Sequence, residues 1–388
     1  MATGKAKTAK QKHSTAAGGN NSAGESLGGL RAAIDAVDRN IHDLLNERAR
    51  LARRVGATKH AAIEGSSAAL AFYRPEREAQ VLRMAKERNR GPLRDQEVLR
   101  LFREIMSACL AQEEPLKVAY LGPEGTFTQA AVLKHFGHSV RALPMTSIDE
   151  VFQDVEAGNA DFGIVPIENS TEGTVNHTLD RFIGSPLKIC GEVELRIHQY
   201  LMGRMSTLTG IKRICTHQQS LAQCRNWLDE HVPFAERVMV SSNAEGARRA
   251  RDEDGTAAIA GETAADMYGL KVLAPEIEDR PDNTTRFFVL GRKLFRASGD
   301  DRTTILCSTL KTDAPGALYR LLEPLAKHAI SMTRIESRPS KRQKWDYVFF
   351  IDIEGHVDDA KVETALAELK KRASLYRVLG SYPRAVLE

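Results

Sequence analysis

LRAAIDAVDRNIHDLLNERARLARRVGATK, Leu30 to Lys59, is the stretch that decides how the first part of this chain folds. Apolar residues recur at Leu30, Ile34, Val37, Ile41, Leu44, Leu45, Ala52 and Val55, the three-and-four spacing of a helix with one apolar face. The spacing predicts one long helix whose stripe faces a core. Arg48 falls on that stripe between Leu44 and Ala52, and Lys59 lies one turn beyond Val55. At about 100° per residue the two cations point the same way, roughly 16 Å apart along the axis. A cation turned toward a core is costly unless an anion neutralises it. Two readings stand: the pair frames a pocket for a small molecule with several negative groups, or both side chains snorkel to water from the stripe's edge.

Outward from this helix, residues 26–114 read as all helix. A loop rich in Ala, Ser and Gly follows, and a second helix opens around Tyr73-Arg74-Pro75-Glu76, with proline in the first turn where its missing N–H is tolerated. A third begins near Pro92 and aligns Leu99, Phe102, Ile105, Met106, Cys109 and Leu110, with Glu113 ending the same face. Three helices, one very long, make a thin bundle, so pairing with a second copy is expected. Residues 1–25 carry Lys5, Lys7, Lys10 and Lys12 against Glu25 and no apolar run, which predicts a disordered basic tail. The tail holds most of the chain's net +4, so the remainder is nearly neutral and a nucleic-acid role loses its main support. No run approaches the ~20 apolar residues of a membrane span. A soluble, cytoplasmic chain with no membrane partner is expected. The five cysteines are scattered, which suits a reducing compartment, and the Cys215, His217, Cys224 spacing matches no common zinc pattern. No metal and no cofactor are expected.

Character changes at Pro115. Strands are predicted at Lys117–Leu121, Val140–Leu143, Phe162–Val165, Leu187–Ile189, Ile211–Cys215, Arg237–Val240 and Ala257–Ile259, most alternating with helical patterns. That order predicts an α/β block over 116–296 with largely parallel sheets. Gly122-Pro123-Glu124-Gly125 lacks the dinucleotide and P-loop signatures, so no nucleotide site is expected there. Residues 303–383 read strand, helix, strand, strand, helix, strand, the βαββαβ order of ferredoxin-like domains.

Taken together, the motifs resemble the bifunctional chorismate mutase–prephenate dehydratases that carry a C-terminal ACT domain. The helical block is similar to the all-helical mutases through Arg31 with Asp38, Glu47-Arg48, Val55 to Lys59, and Arg77-Glu78. The middle block resembles the dehydratases through Gly122-Pro123-Glu124-Gly125-Thr126-Phe127, Val165-Pro166-Ile167-Glu168-Asn169-Ser170 and Thr285-Arg286-Phe287. The end block resembles ACT domains through Gly316-Ala317-Leu318 and Glu336-Ser337-Arg338-Pro339.

The resemblance implies two reactions and a regulator. Chorismate carries two carboxylates, and its rearrangement to prephenate needs positioning and electrostatic stabilisation, with no covalent catalyst. Arg48, and Arg31 of the partner subunit, would hold the carboxylates, with Arg77 and Cys109 in the same pocket. Lys59 would donate to the ether oxygen, and Glu78 would accept from the ring hydroxyl. Glu113, with Gln112 adjacent, stands where the family usually has Gln; a carboxyl there donates only when protonated. Arg74 stands where many relatives have Asp. For the second step, prephenate to phenylpyruvate, the resemblance nominates Thr285, Asn169, Thr216 and Gln223, with Ser170 and Thr174 on the same loop as Asn169. Arg286 is left open between a substrate carboxylate and Glu168. L-phenylalanine would act as allosteric inhibitor through Gly316, Ala317, Leu318, Glu336, Ser337, Arg338 and Pro339. A homodimer with intertwined helical blocks, or a tetramer, is implied. The rival reading is a ligand-sensing protein whose helical block is a dimerisation stalk.

Overall fold

A computed structural model describes residues 26–61, 73–112, 115–310, 315–340 and 346–385. The basic tail, the loop 62–72 and Glu113 lie outside the described residues, as does the side chain of Lys59. The chain divides into two compact units, Met1–Arg48 and Ala49–Glu388.

Helix α1, Leu27–Ala61, is continuous, as its periodicity requires. Its stripe does not face a core: Leu30, Ile34, Val37, Ile41, Leu44 and Val55 are exposed, Leu44 by 64%. The described part of the first unit is this helix alone, so that unit supplies no second element of its own to cover the apolar face. In the second unit, α2 (Pro75–Arg88) and α3 (Asp95–Leu110) pack together. The third helix starts at Asp95 instead of Pro92, where Asn89 Nδ2 donates to Leu93 O and to Asp95 Oδ1.

The middle block is two lobes. The first runs β1 (Lys117–Leu121), α4 (Phe127–Phe136), β2 (Arg141–Met145), α5 (Ile148–Ala157), β3 (Phe162–Asn169), β4 (Gly173–Thr174), α6 (Asn176–Gly184) and β5 (Lys188–Arg196). The second runs β6 (Tyr200–Gly203), β7 (Arg213–His217), α7 (Gln218–Gln223), α8 (Arg225–His231), β8 (Glu236–Val240), α9 (Asn243–Asp252), β9 (Thr256–Ala260), α10 (Glu262–Tyr268) and β10 (Lys271–Ala274). Strand β11 (Thr284–Gly291) then returns to the first sheet, whose order is β2-β1-β3-β11-β5 with β4 on β3; the second is β10-β6-β9-β7-β8. These sheets are mixed, which corrects the expectation of largely parallel ones. Pairing is parallel in β2-β1-β3 and β8-β7-β9 but antiparallel wherever β5, β6, β10 or β11 takes part. The chain leaves the first lobe along β5 and must come back, so the returning β11 runs against its neighbours.

The last block is βαββαβ: β12 (Asp301–Thr309), α11 (Ala317–Lys327), β13 (Met332–Pro339), β14 (Tyr347–Glu354), α12 (Ala360–Lys371) and β15 (Ala373–Pro383), in an antiparallel sheet ordered β13-β14-β12-β15. One face packs on α11 and α12 through Ile305, Ile351, Leu321 and Leu366. On the other, Leu306, Val348, Phe350, Leu379 and Tyr382 join one core with Phe152, Phe182 and Phe288 of the first lobe. Burying each such side chain stabilises by about 1.5–3 kcal/mol, so the two blocks share a core, not a mere contact. Gly380 permits this closeness: a Cβ there would fall 2.1 Å from the carbonyl oxygen of Ile189.

Candidate functional site

Between the lobes lies a cavity of about 540 Å³. Its rim on the first lobe is the Gly122–Thr128 turn, where Thr126 caps α4 by accepting from Gln129 N. Its wall is the pairing of β3 with β11, which sets Asn169 opposite Thr285. Its far side is Gln199, His217, Ser220, Gln223 and Asn243. Among the described residues that line it there is no lysine or arginine.

Hydrogen bonds at this wall give each group a direction. Asn169 Nδ2 has two hydrogens; one goes to Thr285 Oγ1 at 2.8 Å, the other to Asn283 Oδ1 at 2.9 Å. Asn169 Oδ1 accepts from the backbone N–H groups of Thr171 and Glu172. The Asn169 amide is thus fully engaged within the protein and acts as a positioning group. Thr285 accepts from Asn169, so its own O–H is left to donate into the cavity. Across the cleft, Gln223 Oε1 accepts from Gln199 Nε2 at 3.1 Å, which leaves the Gln223 Nε2 end for a ligand.

Not every nominated residue reaches this cavity. Thr216 is fully buried, its hydroxyl between Ile259 O at 2.9 Å and Asn243 Oδ1 at 3.0 Å, because β7 turns it into the second sheet. It supports Asn243, whose Nδ2 donates to Ser220. Ser170 ties the loop to β11: its Oγ accepts from Thr284 N at 2.9 Å. Thr174 faces the last block, donating to Glu336 Oε2 at 2.9 Å.

Arg286 takes neither course left open for it. Successive strand residues point to opposite faces, so with Thr285 in the cleft Arg286 points away. It lies 2.7 Å from Glu192 Oε2 and 2.7 Å from Asp352 Oδ2, beside the Tyr382 hydroxyl and over the Phe288 ring. Arg302 also grips Glu192, and Thr304 donates to Asp352. Glu168 pairs instead with Arg334 at 3.0 Å. On β13, Arg334, Glu336 and Arg338 alternate with exposed Ile335, Ser337 and Pro339. Arg338 reaches Asp180 and Asn176 at the start of α6. Gly316 has φ +73°, a left-handed turn opening α11, so backbone geometry accounts for glycine there; Ala317 begins the helix and Leu318 is exposed.

Of the residues nominated on the helices, Arg31 and Arg77 are exposed, Arg48 is half-buried and Cys109 is buried. Glu78 lines a second cavity, about 480 Å³, with Tyr73, Arg103 and His135. Burial pushes the Glu78 carboxyl up to about 7, against the opposing pull of Arg103 and a hydrogen bond from Tyr73. Burial, reinforced by Arg103, drives His135 down to about 3, so its ring is neutral. Tyr73 bridges the two, its hydroxyl 3.1 Å from His135 Nε2. A carboxyl whose folded pKa lies above its unfolded value withholds stability as pH rises between the two. Glu78→Gln is therefore expected to flatten the fall in thermal midpoint between pH 5 and about pH 7.5. An unaltered slope would show that Glu78 ionises freely.

Models of three families match the chain in order: chorismate mutase type II over residues 30–114, prephenate dehydratase over 118–294 and the ACT domain over 303–371. A bifunctional chorismate mutase/prephenate dehydratase of Stutzerimonas stutzeri is 55% identical over 94% of this chain and 99% of its own length. One from Pseudomonas aeruginosa is 54% identical over the same shares. The chain belongs to the bifunctional chorismate mutase/prephenate dehydratase family. It is an enzyme with both catalytic domains and an ACT domain. Among solved structures, a prephenate dehydratase from Arthrobacter aurescens, in complex with L-Phe, is 40% identical with a TM-score of 0.64, covering 70% of this chain and 90% of that one. Among the described residues no cluster suits a metal ion and no helix is long and apolar enough to cross a membrane.

Asn283, Gln199 and Asn243 line the cleft and were missed by sequence reasoning. Asn283 had a usable signal: it precedes Thr285 by two, the spacing that shares a strand face. The other two had none, because they reach the cleft through a lobe packing that no local pattern encodes.

Proposed function

We propose that the chain converts chorismate to prephenate in its helical domain and prephenate to phenylpyruvate in the interlobe cleft, with L-phenylalanine as feedback inhibitor. What carries the second reaction is the Thr285 hydroxyl, whose acceptor side is occupied by Asn169, so that its hydrogen is aimed at a leaving oxygen. Loss of carbon dioxide and hydroxide makes an aromatic ring, which supplies the driving force; the protein orients the substrate and eases departure of the oxygen.

For the first reaction, the support is the pairing of apolar residues with Arg31 and Arg48 along α1. The exposed stripe calls for a second copy laid against it, and two intertwined α1 helices would bring Arg31 of the partner subunit toward Arg48 and Lys59. The test follows both steps in one tube: chorismate should disappear and phenylpyruvate should form. Accumulation of prephenate alone would confine the activity to the helical domain, and no turnover would leave a ligand sensor.

For regulation, β13 has two faces. Its exposed positions, with Gly316 to Leu318, are the surface offered to phenylalanine, while Arg334, Glu336 and Arg338 grip Glu168, Thr174 and Asp180 beside Asn169. An effector must bind two conformations unequally, and this grip is where such a difference would reach the cleft. Arg338→Ala is expected to raise the phenylalanine concentration for half-inhibition at least about fivefold, the low end of allosteric couplings. An unchanged value would detach that contact from regulation.

A further inference from the structure

Resting on the reading of the cleft as a prephenate site, we propose that Asn283 is a further substrate-binding residue, its Nδ2 donating to the ring carboxylate of prephenate. Asn283 is 3% exposed and lines the cleft. Its Oδ1 collects donors from Asn169 Nδ2 at 2.9 Å, Thr171 Oγ1 at 3.4 Å and Ser170 Oγ at 3.5 Å. Those donors settle which way the amide is turned, since the opposite setting would place N–H against N–H. Nδ2 then has no hydrogen-bond partner among the described residues, although it is buried. Buried donors are nearly always satisfied, and one left open beside a substrate cleft points to an acceptor that arrives with the substrate.

The position selects the acceptor. Asn283 precedes Thr285 by two residues in the extended run that opens β11, with Asn283 O accepting from Ile197 N, so both face the cleft about 7 Å apart along the strand. Prephenate bears its ring carboxylate on the carbon para to the one bearing the hydroxyl. With Thr285 facing the hydroxyl, Asn283 falls at the opposite end of the ring. A neutral donor also suits the chemistry. The bond from ring to carboxylate breaks, its electron pair enters the ring, carbon dioxide departs uncharged, and the C–O bond breaks with its oxygen taking a proton. A fixed cation would hold the starting carboxylate more tightly than the departing carbon dioxide and so oppose the step. Among the described residues the lining offers no lysine or arginine, which fits that requirement.

The test compares prephenate kinetics of the full chain with Asn283→Asp, which keeps an oxygen for Asn169 to donate to but replaces the unpaired donor by an anion. KM for prephenate is expected to rise at least about 30-fold with kcat not lowered, because the lost donor holds the starting carboxylate at least as tightly as the departing carbon dioxide. Lowering pH toward 5 should recover part of the loss as the new carboxyl protonates. Inhibition by phenylpyruvate, which lacks the ring carboxylate, should be unchanged. Mutase activity of the same preparation reports folding; if Asn283→Asp fails that check, Asn283→Ser takes its place, with KM up about tenfold expected. A folded variant with KM within about twofold of wild type overturns the donor role, on the same scale of hydrogen-bond energies. Parallel weakening of prephenate and phenylpyruvate overturns the assignment to the ring carboxylate. A wild-type chain inert toward prephenate sinks the cleft reading itself, a separate outcome visible before any variant is made.

Discussion

Thr285→Val should lower phenylpyruvate formation by roughly 10²–10⁴-fold while prephenate still builds up from chorismate, the span expected for losing a placed proton donor. Valine reproduces the shape of threonine but has no O–H to offer the leaving oxygen. It also leaves one Asn169 N–H without its acceptor, so the wall of the cleft loses alignment as well as the donor. Thr285→Ser keeps the hydroxyl and should retain most of the rate. Prephenate kinetics and chorismate disappearance, measured on the same preparations, separate a chemical loss from a folding loss. A valine variant within tenfold of wild type would remove Thr285 from the step, since that is below the least effect expected of a placed donor.

The second large effect falls on stability. Arg286→Met should destabilise the Ala49–Glu388 unit by about 3–5 kcal/mol, the usual loss when one partner of a buried ion pair is removed. Asp352 is fully buried, and among the described residues the Thr304 hydroxyl is the side-chain partner left to offset its charge, while Glu192 keeps Arg302. Following Arg286→Met with Asp352→Leu should recover part of the loss, because an apolar pair of similar volume can replace a buried ion pair. Denaturant midpoints for the single and double variants decide it. A single variant that unfolds with wild type would mean that water reaches Asp352 and solvates it.

Periodicity made much of this fold legible. The helix through Leu30–Lys59, the α/β alternation after Pro115 and the βαββαβ order at the end can each be read from local spacing, and the expected strands lie close to their places, but β4, β6, β10 and β11 were not expected. Sheet direction could not be read that way, because β11 pairs with β3, more than a hundred residues earlier. The site shows the same division. Asn169, Gln223 and Thr285 meet at one cavity. Arg286 is one step from Thr285 along β11 and so takes the opposite face, while Thr174 on β4 turns to the last block and Thr216 on β7 turns into the second sheet. Which face meets the cleft depends on register with a distant partner. Arg286 illustrates this: the sequence left it open between a substrate carboxylate and Glu168, but its partners Glu192 and Asp352 come from β5 and β14.

The Gly380 contact and the jointly packed aromatic layer have an evolutionary corollary. Cutting the ACT domain away would strip Phe288 and Phe182 of their cover and leave Arg286 facing water, so a nonsense mutation before residue 301 is expected to abolish dehydratase activity together with the regulation proposed for that domain. Strains selected to overproduce the aromatic end product should therefore carry missense changes within the terminal domain, and early stop codons should be absent among them.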